Sequence, residues 1–158
     1  MFSKSLESKI AEELFVVARE VDVVVGVLTD GDRFLVERRG LDETLDPDIV
    51  CLPGGHVNKG ESYEKALKRE MLEELGITVK SMRFIEKDFR IASNGERQNS
   101  YCFVITAYEG RPTAKSAKEI FWTDSIDDLN LELDKQTIRK LKEIHESNAS
   151  NSNSVFCL

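Results

Sequence analysis

Glu70, Glu73 and Glu74 are the residues whose types and spacing speak most directly of chemistry. They stand at i, i+3 and i+4, and a helix turning by roughly 100° per residue projects all three from one face. Like charges at that spacing repel by roughly 0.2–0.5 kcal/mol per pair, so the cluster is unfavourable unless something offsets it. A hard divalent cation does so, and a Mg²⁺ held by a few carboxylates together with substrate phosphates is a usual arrangement. The bland alternative is a solvated acidic surface helix, since Glu is a good helix former. Arg69, four residues before Glu73, has the planar fork needed to hold that carboxylate in position.

The helix that carries these groups is legible around them. Tyr63, Leu67, Met71 and Leu75 recur every fourth residue, so an apolar stripe runs beside the acidic face. One side is therefore buried while the glutamates line the rim of a cleft. Gly76 fits the position just past a helix end, where a left-handed backbone favours glycine. Glu61 or Ser62 stands near the helix start, where negative charge suits the helix dipole. Gly54 and Gly55 precede the helix and let the backbone approach a ligand closely.

The remaining segments read as a mixed α/β domain. Val23 to Leu28 has the pattern of a strand buried on both faces, and Asp30-Gly31-Asp32 turns it into a hairpin with Arg33 to Val36. This second strand ends in Arg38 and Arg39, of which alternation lets only one look into a given cleft. Residues 40–49 form a loop, and Val50 to Gly55 a strand and turn. Met82 to Ile91 and Ser100 to Tyr108 are strands joined through Ser93-Asn94-Gly95-Glu96, a hairpin signal. Tyr101, Phe103 and Tyr108 either pack the sheet or stack on a base. Glu119 to Trp122 is a last short strand, and a final helix starts at Asp134 or its neighbours with Ile138, Leu141 and Ile144 inward. Residues 1–18 read as an arm or short helix, 19–146 as a single domain, and 147–158, rich in Asn and Ser, as a disordered tail.

Gly55, Glu61, Arg69, Glu70, Glu73, Glu74 and Gly76 also fall in the register G-x5-E-x7-R-E-U-x-E-E-x-G-U, with Met71 and Ile77 at the apolar positions. This resembles the signature box of the Nudix hydrolases, with every fixed position filled. The resemblance implies an α/β/α sandwich around a mixed β-sheet. It implies that Gly55, through its carbonyl, and Glu70, Glu73 and Glu74 hold Mg²⁺ or Mn²⁺, with Glu61 supporting the metal site. It also implies that Arg38 or Arg39, with Gly54, meets substrate phosphate. Glu119, which resembles the glutamate of a family Glu-x-x-Trp, would reach the metal or the attacking water. Of the proton acceptors so implied, Glu70 or Glu73 comes first and Glu119 second, with Arg69 orienting a ligand carboxylate. His56 is a further catalytic candidate beside Gly55.

Composition narrows the class. A net charge of −7 argues against a nucleic-acid polymer as partner, because such binding relies on Lys and Arg neutralising phosphates. Cys51, Cys102 and Cys157 are an odd number at unrelated spacings, which suggests neither a zinc site nor a disulfide framework. No stretch approaches the roughly 20 apolar residues that span a bilayer, and the acidic start lacks the apolar core of a secretory signal. A cytoplasmic setting is expected, and the apolar N-terminal arm leaves a homodimer open. The function implied is metal-dependent hydrolysis of a diphosphate linkage in a nucleoside diphosphate derivative. The branch it most resembles acts on nucleoside triphosphates, damaged ones included, giving the monophosphate and pyrophosphate. ADP-ribose or nucleotide-sugar hydrolysis and a non-catalytic nucleotide-binding regulator are the alternatives, with allylic diphosphate isomerisation behind them.

Overall fold

The computed structural model describes residues 5–10 and 20–153, with side chains described up to residue 150. Strand β1 (Glu20–Val27) runs parallel to β7 (Arg97–Glu109) and antiparallel to β5 (Gly54–His56). Strand β6 (Thr78–Ile91) pairs with the other edge of β7, giving a mixed sheet in the order β5-β1-β7-β6. A second sheet forms around β3 (Arg33–Arg38). It is flanked along its length by β8 (Glu119–Thr123), at its start by β2 (Thr29–Asp30) and at its end by β4 (Val50–Cys51).

Alternation along these strands requires cover on both faces. Val24, Leu35, Phe103 and Ile105 enter one core, while Val27, Phe34, Val36, Cys102 and Val104 enter another. Successive strand residues point to opposite faces, so each strand feeds two apolar layers. Helix α1 (Tyr63–Leu75) closes the first with Ala66, Leu67, Met71 and Leu75. Helix α2 (Glu132–Asn153) closes the second with Ile138 and Leu141. Helices thus flank the sheet on both sides, which is the α/β/α sandwich.

Three boundaries differ from the sequence reading. Only the end of the Val23–Leu28 run joins the hairpin with Arg33–Val36. Gly31 makes the expected turn at φ 63°, β2 pairs with β3, and Leu35 N donates to Leu28 O at 3.0 Å, while β1 itself stays with β7. The eight parallel partners between Glu20 and Val27 hold β1 in the first sheet. Strands β6 and β7 are longer than expected because their ladder continues from Ile91↔Arg97 to Thr78↔Glu109 through bulges. The stretch 147–153, read as disordered, continues α2. Too polar to bury does not mean too polar to stay helical: once the packed first half is nucleated, each further residue adds a hydrogen bond. There Ser147 Oγ donates to Glu143 O at 2.9 Å and Ser150 Oγ to Glu146 O at 3.0 Å. Residues 6–10 are helical with Leu6 and Ile10 exposed; residues 1–4, 11–19 and 154–158 lie outside the described residues. Among the described residues, no helix is long and apolar enough to cross a membrane.

Both ends of α1 follow local rules. Ser62 caps its start, the hydroxyl accepting from Lys65 N at 3.3 Å. Gly76 ends it at φ 70°, with Gly76 N donating to Leu72 O at 3.1 Å and Ile77 N to Met71 O at 3.3 Å. An added Cβ would meet both the left-handed penalty and the Lys115 side chain. Gly76→Ala is expected to lower unfolding free energy by about 1–2 kcal/mol, measured by urea denaturation.

Candidate active site

Arg69 is the hub of the helix face. Its Nε and Nη2 donate to the two oxygens of Glu61 at 3.0 and 2.9 Å, and Nη2 also donates to His56 O at 2.8 Å. Nη1 donates to Glu70 Oε1 at 2.5 Å and to Glu73 Oε2 at 3.3 Å. The fork therefore ties the loop before α1 to two glutamates one turn apart. These bonds, with one from Asn58 N, hold the Glu61 carboxyl below the usual range.

The three glutamates then diverge. Glu70 is buried against β5, so tightly that a Cβ on Gly55 would overlap its carboxyl group. Glu73 points outward with its side chain 59% exposed. Glu74 is half-buried and turns toward Glu37 of β3. Burial, then the neighbouring charges of Glu37 and Glu70, pushes the Glu74 carboxyl up to about 8. Burial likewise raises Glu37 to about 7 against the pull of Arg39. Glu37 Oε2 and Glu74 Oε2 are both buried without a hydrogen-bond donor.

A cleft of about 380 Å³ opens beside these groups. Gly54, Gly55, Glu70, Glu74, Glu37 and Arg39 line it on the α1 side. Residues of the 40–49 loop, Arg90 and Gln98 of β6 and β7, and Leu131, Leu133 and Asp134 at the start of α2 form further parts of the wall. The chain thus sets a carboxylate-rich pocket beside a glycine strand, at the foot of a helix read as metal-binding. The sequence model of the NUDIX domain matches residues 19–143.

The chain belongs to the Nudix family.

Similarity to individual Nudix proteins agrees. The chain is 32% identical over 106 residues to an 8-oxo-dGTP diphosphatase of Haemophilus influenzae, covering 66% of this chain and 76% of that one. It is 36% identical over 110 residues to an isopentenyl-diphosphate Δ-isomerase of Leifsonia xyli, covering 61% of this chain and 58% of the isomerase. Among solved structures, a MutT NUDIX hydrolase of Burkholderia pseudomallei superposes with a TM-score of 0.68 at 22% identity, covering 77% of this chain and 98% of that one, a likeness of fold. The chain is a Nudix hydrolase.

The Nudix box residues fit a divalent cation in kind. They offer hard carboxylate oxygens, two buried oxygens in the same cleft lack donors, and Gly55 brings backbone up to Glu70. Among the described residues, no three His, Cys, Asp or Glu side chains stand close enough to enclose an ion by themselves. A cation there would share its sphere with backbone, water or substrate oxygens.

Several residues anticipated from the sequence stand elsewhere. Of the two arginines, Arg39 lines the cleft, donating to Leu45 O and Glu43 Oε2, both at 3.0 Å. Arg38 faces the other way, 3.4 Å from Glu119 and 3.7 Å from Asp48. Glu119 opposes Arg38 in the β3–β8 ladder and is not among the cleft residues. The aromatics pack the sheet: Tyr101 stacks on Tyr63 at 3.7 Å, and Phe103 meets Phe84 edge-on. His56 Nε2 bonds Glu96 Oε1 at 2.7 Å.

Glu37 and Asp134 are among the cleft residues that escaped the sequence reading. Glu37 was recoverable, because period-two alternation puts 37 and 39 on one face of β3. Asp134 gave no local signal, since an acid at a helix start reads as a cap. It is fully buried, accepts from Leu52 N at 2.9 Å, and burial pushes its carboxyl up to about 7. The folded-state value lies above the unfolded one, so the native protein holds a proton that the unfolded chain has released between about pH 4 and 7. Stability therefore falls as pH rises through that window, by at most about 4 kcal/mol, and the loss is complete above it. Asp134→Asn keeps the acceptor for Leu52 N and cannot ionise. Urea unfolding is expected to find this variant close to wild type at pH 4 and more stable at pH 8.

Proposed function

We propose that the protein is a divalent-cation-dependent pyrophosphohydrolase of nucleoside triphosphates, damaged ones included, releasing the monophosphate and pyrophosphate. The observation that carries this reading is the pair of donorless carboxylate oxygens on Glu37 and Glu74, buried in a cleft beside a complete Nudix box. Carboxylates so placed would hold a divalent cation, which would supply positive charge against phosphate oxygens. The name of the Haemophilus influenzae relative supports a triphosphate with an oxidised base as the first candidate.

Glu74 and the Gly55 carbonyl would hold Mg²⁺ or Mn²⁺, with Glu37 as a further carboxylate on the facing strand, and Glu73, which points outward, would turn in to join them. Bound there, a cation would supply positive charge against phosphate oxygens that otherwise repel a nucleophile, and would lower the pKa of water. Glu70 is assigned the proton from the attacking water, because it lines the cleft while Arg69 and Gly55 fix its carboxyl. Water oxygen bonds to phosphorus as the bond to the bridging oxygen breaks, and the electron pair leaves with pyrophosphate. Arg39 would meet phosphate from the cleft wall; at Gly54 an added Cβ would run into Val24 O of β1, so that glycine answers to strand packing. Arg69 acts through Glu70 and Glu73 instead of touching substrate.

The isomerase relatives raise a second chemistry, which needs a reactive group in the cleft. Cys51 lines it, but burial and then the charge of Glu37 push its thiol well above the usual range, so it is not a ready thiolate. The deciding experiment is product analysis with Mg²⁺ or Mn²⁺ and a panel of normal and oxidised nucleoside triphosphates, ADP-ribose, nucleotide sugars, dinucleoside polyphosphates and isopentenyl diphosphate. Monophosphate and pyrophosphate from a triphosphate are expected. Turnover of none of them sinks the proposal, and tight nucleotide binding without product would point to a regulator.

A further inference from the structure

Loop 40–49 walls the cleft through Glu43, Thr44, Leu45, Asp46 and Ile49, yet its own backbone is an unfavourable one. Asp46 and Asp48 sit at φ 45° and 56°, in the left-handed region that non-glycine residues seldom occupy. Such a conformation persists only where its surroundings hold it. At Asp46 the hold comes from the β6–β7 hairpin, more than 40 residues away, while Asp48 N donates to Gly40 O at 3.3 Å and its carboxylate meets Arg38 and Lys118. Asp46 N donates to Ser93 Oγ at 2.8 Å, Ser93 N donates to Asp46 Oδ1 at 3.1 Å, and Arg90 Nη2 donates to Asp46 Oδ2. Asp46 is only 8% exposed, so this ion pair is a built internal joint and not a surface contact.

Arg90 serves both sides of the joint. Its Nε donates to Gln98 Oε1 at 2.8 Å, Gln98 Nε2 donates to Glu96 Oε1 at 2.8 Å, and the same oxygen meets His56 Nε2 at 2.7 Å. A continuous polar chain therefore links the loop wall to His56, the neighbour of Gly55. Arg90, Gln98, Asp46 and His56 all line the cleft.

We infer that Asp46 and Arg90 are positioning residues that fasten loop 40–49 against the β6–β7 hairpin and thereby set substrate affinity and selectivity. The inference rests on the nucleotide reading of the cleft. In that reading the phosphates lie beside Glu70, Glu74 and Arg39, and the loop, which holds Arg39 through Leu45 O and Glu43, also walls the rest of the substrate. Loosening the joint changes how that part is gripped and leaves the proton-accepting machinery in place. The signature is a change in KM and in discrimination between nucleotides, with kcat little altered.

The test compares wild type with Arg90→Ala, Arg90→Lys, Asp46→Asn and the Asp46→Asn, Arg90→Ala double variant. Steady-state kinetics use the best and second-best nucleotides from the panel, and amide hydrogen exchange reads residues 43–48. Arg90→Ala is expected to raise KM about tenfold with kcat within about threefold, and to narrow the preference between the two nucleotides. Arg90→Lys keeps the charge but not the fork and should recover part of the affinity. The double variant should be no worse than the single, because both changes break one joint. Loop exchange should speed up in Arg90→Ala. Should that variant not fold, Arg90→Lys and Asp46→Asn carry the same readouts. A folded variant with unchanged KM, unchanged selectivity and wild-type loop exchange overturns the inference alone. A wild type that neither hydrolyses nucleotides nor binds them in calorimetry overturns the reading of the cleft and this inference together.

Discussion

Glu70→Gln is expected to lower kcat by about a thousandfold, within the range that general base catalysis contributes. Glutamine keeps the shape of the side chain and its acceptor for Arg69 Nη1, now 2.5 Å away, but cannot take a proton. Its neighbour supplies the contrast. Glu73 is 59% exposed and makes one 3.3 Å hydrogen bond, so Glu73→Gln should leave stability within about 0.5 kcal/mol. As a proposed cation ligand, Glu73 should show its loss as a raised requirement for Mg²⁺, overcome in part at high concentration. Glu70→Gln should gain nothing from more Mg²⁺. Kinetics across a Mg²⁺ titration separate the two, and the reverse pattern would exchange their roles.

Arg69→Ala should cost about 3 kcal/mol of stability without added cation. The figure belongs to Glu70, a carboxylate only 8% exposed that would lose its counter-charge, and breaking a buried pair costs about that much. Losing the bond to His56 O also frees the chain beside Gly55. Removing the guanidinium takes a positive charge away from the proposed cation ligands as well. Added Mg²⁺ should therefore raise the melting temperature more in the variant than in wild type, since a cation that binds only the folded state stabilises it. Calorimetric melting with and without Mg²⁺ is the measurement. An equal rise in both proteins would show that no cation binds near Glu70.

What these experiments share is a site whose parts were unequally visible before folding. The box could be read because its determinants are local: a three- and four-residue spacing on one helix, a capping serine and a left-handed glycine all act within a turn or two. Arg69 reaching Glu73 was legible for the same reason. Which arginine of Arg38 and Arg39 enters the cleft was not, because alternation gives two faces and only the packing of β3 between β4 and β8 chooses one. The partner of Glu119 was hidden similarly: its place near Trp122 is a fact of sequence, but that it stands opposite Arg38 is set by the β3–β8 ladder. The helical course of 147–153 was missed because composition speaks to burial, and an exposed helix needs none.

The sequence by itself determined the glutamate helix with its caps, the alternating strands that demand cover on both faces, and the membership those residues announce. Only the tertiary structure decided that Glu37 faces Glu74, that Asp134 closes the pocket, and that Asp46 is fastened to Arg90 and Ser93. Those pairs lie 37 to 47 residues apart or meet across separate elements. Local spacing carries no information about such partners: they are set by which strands pair and which apolar faces meet.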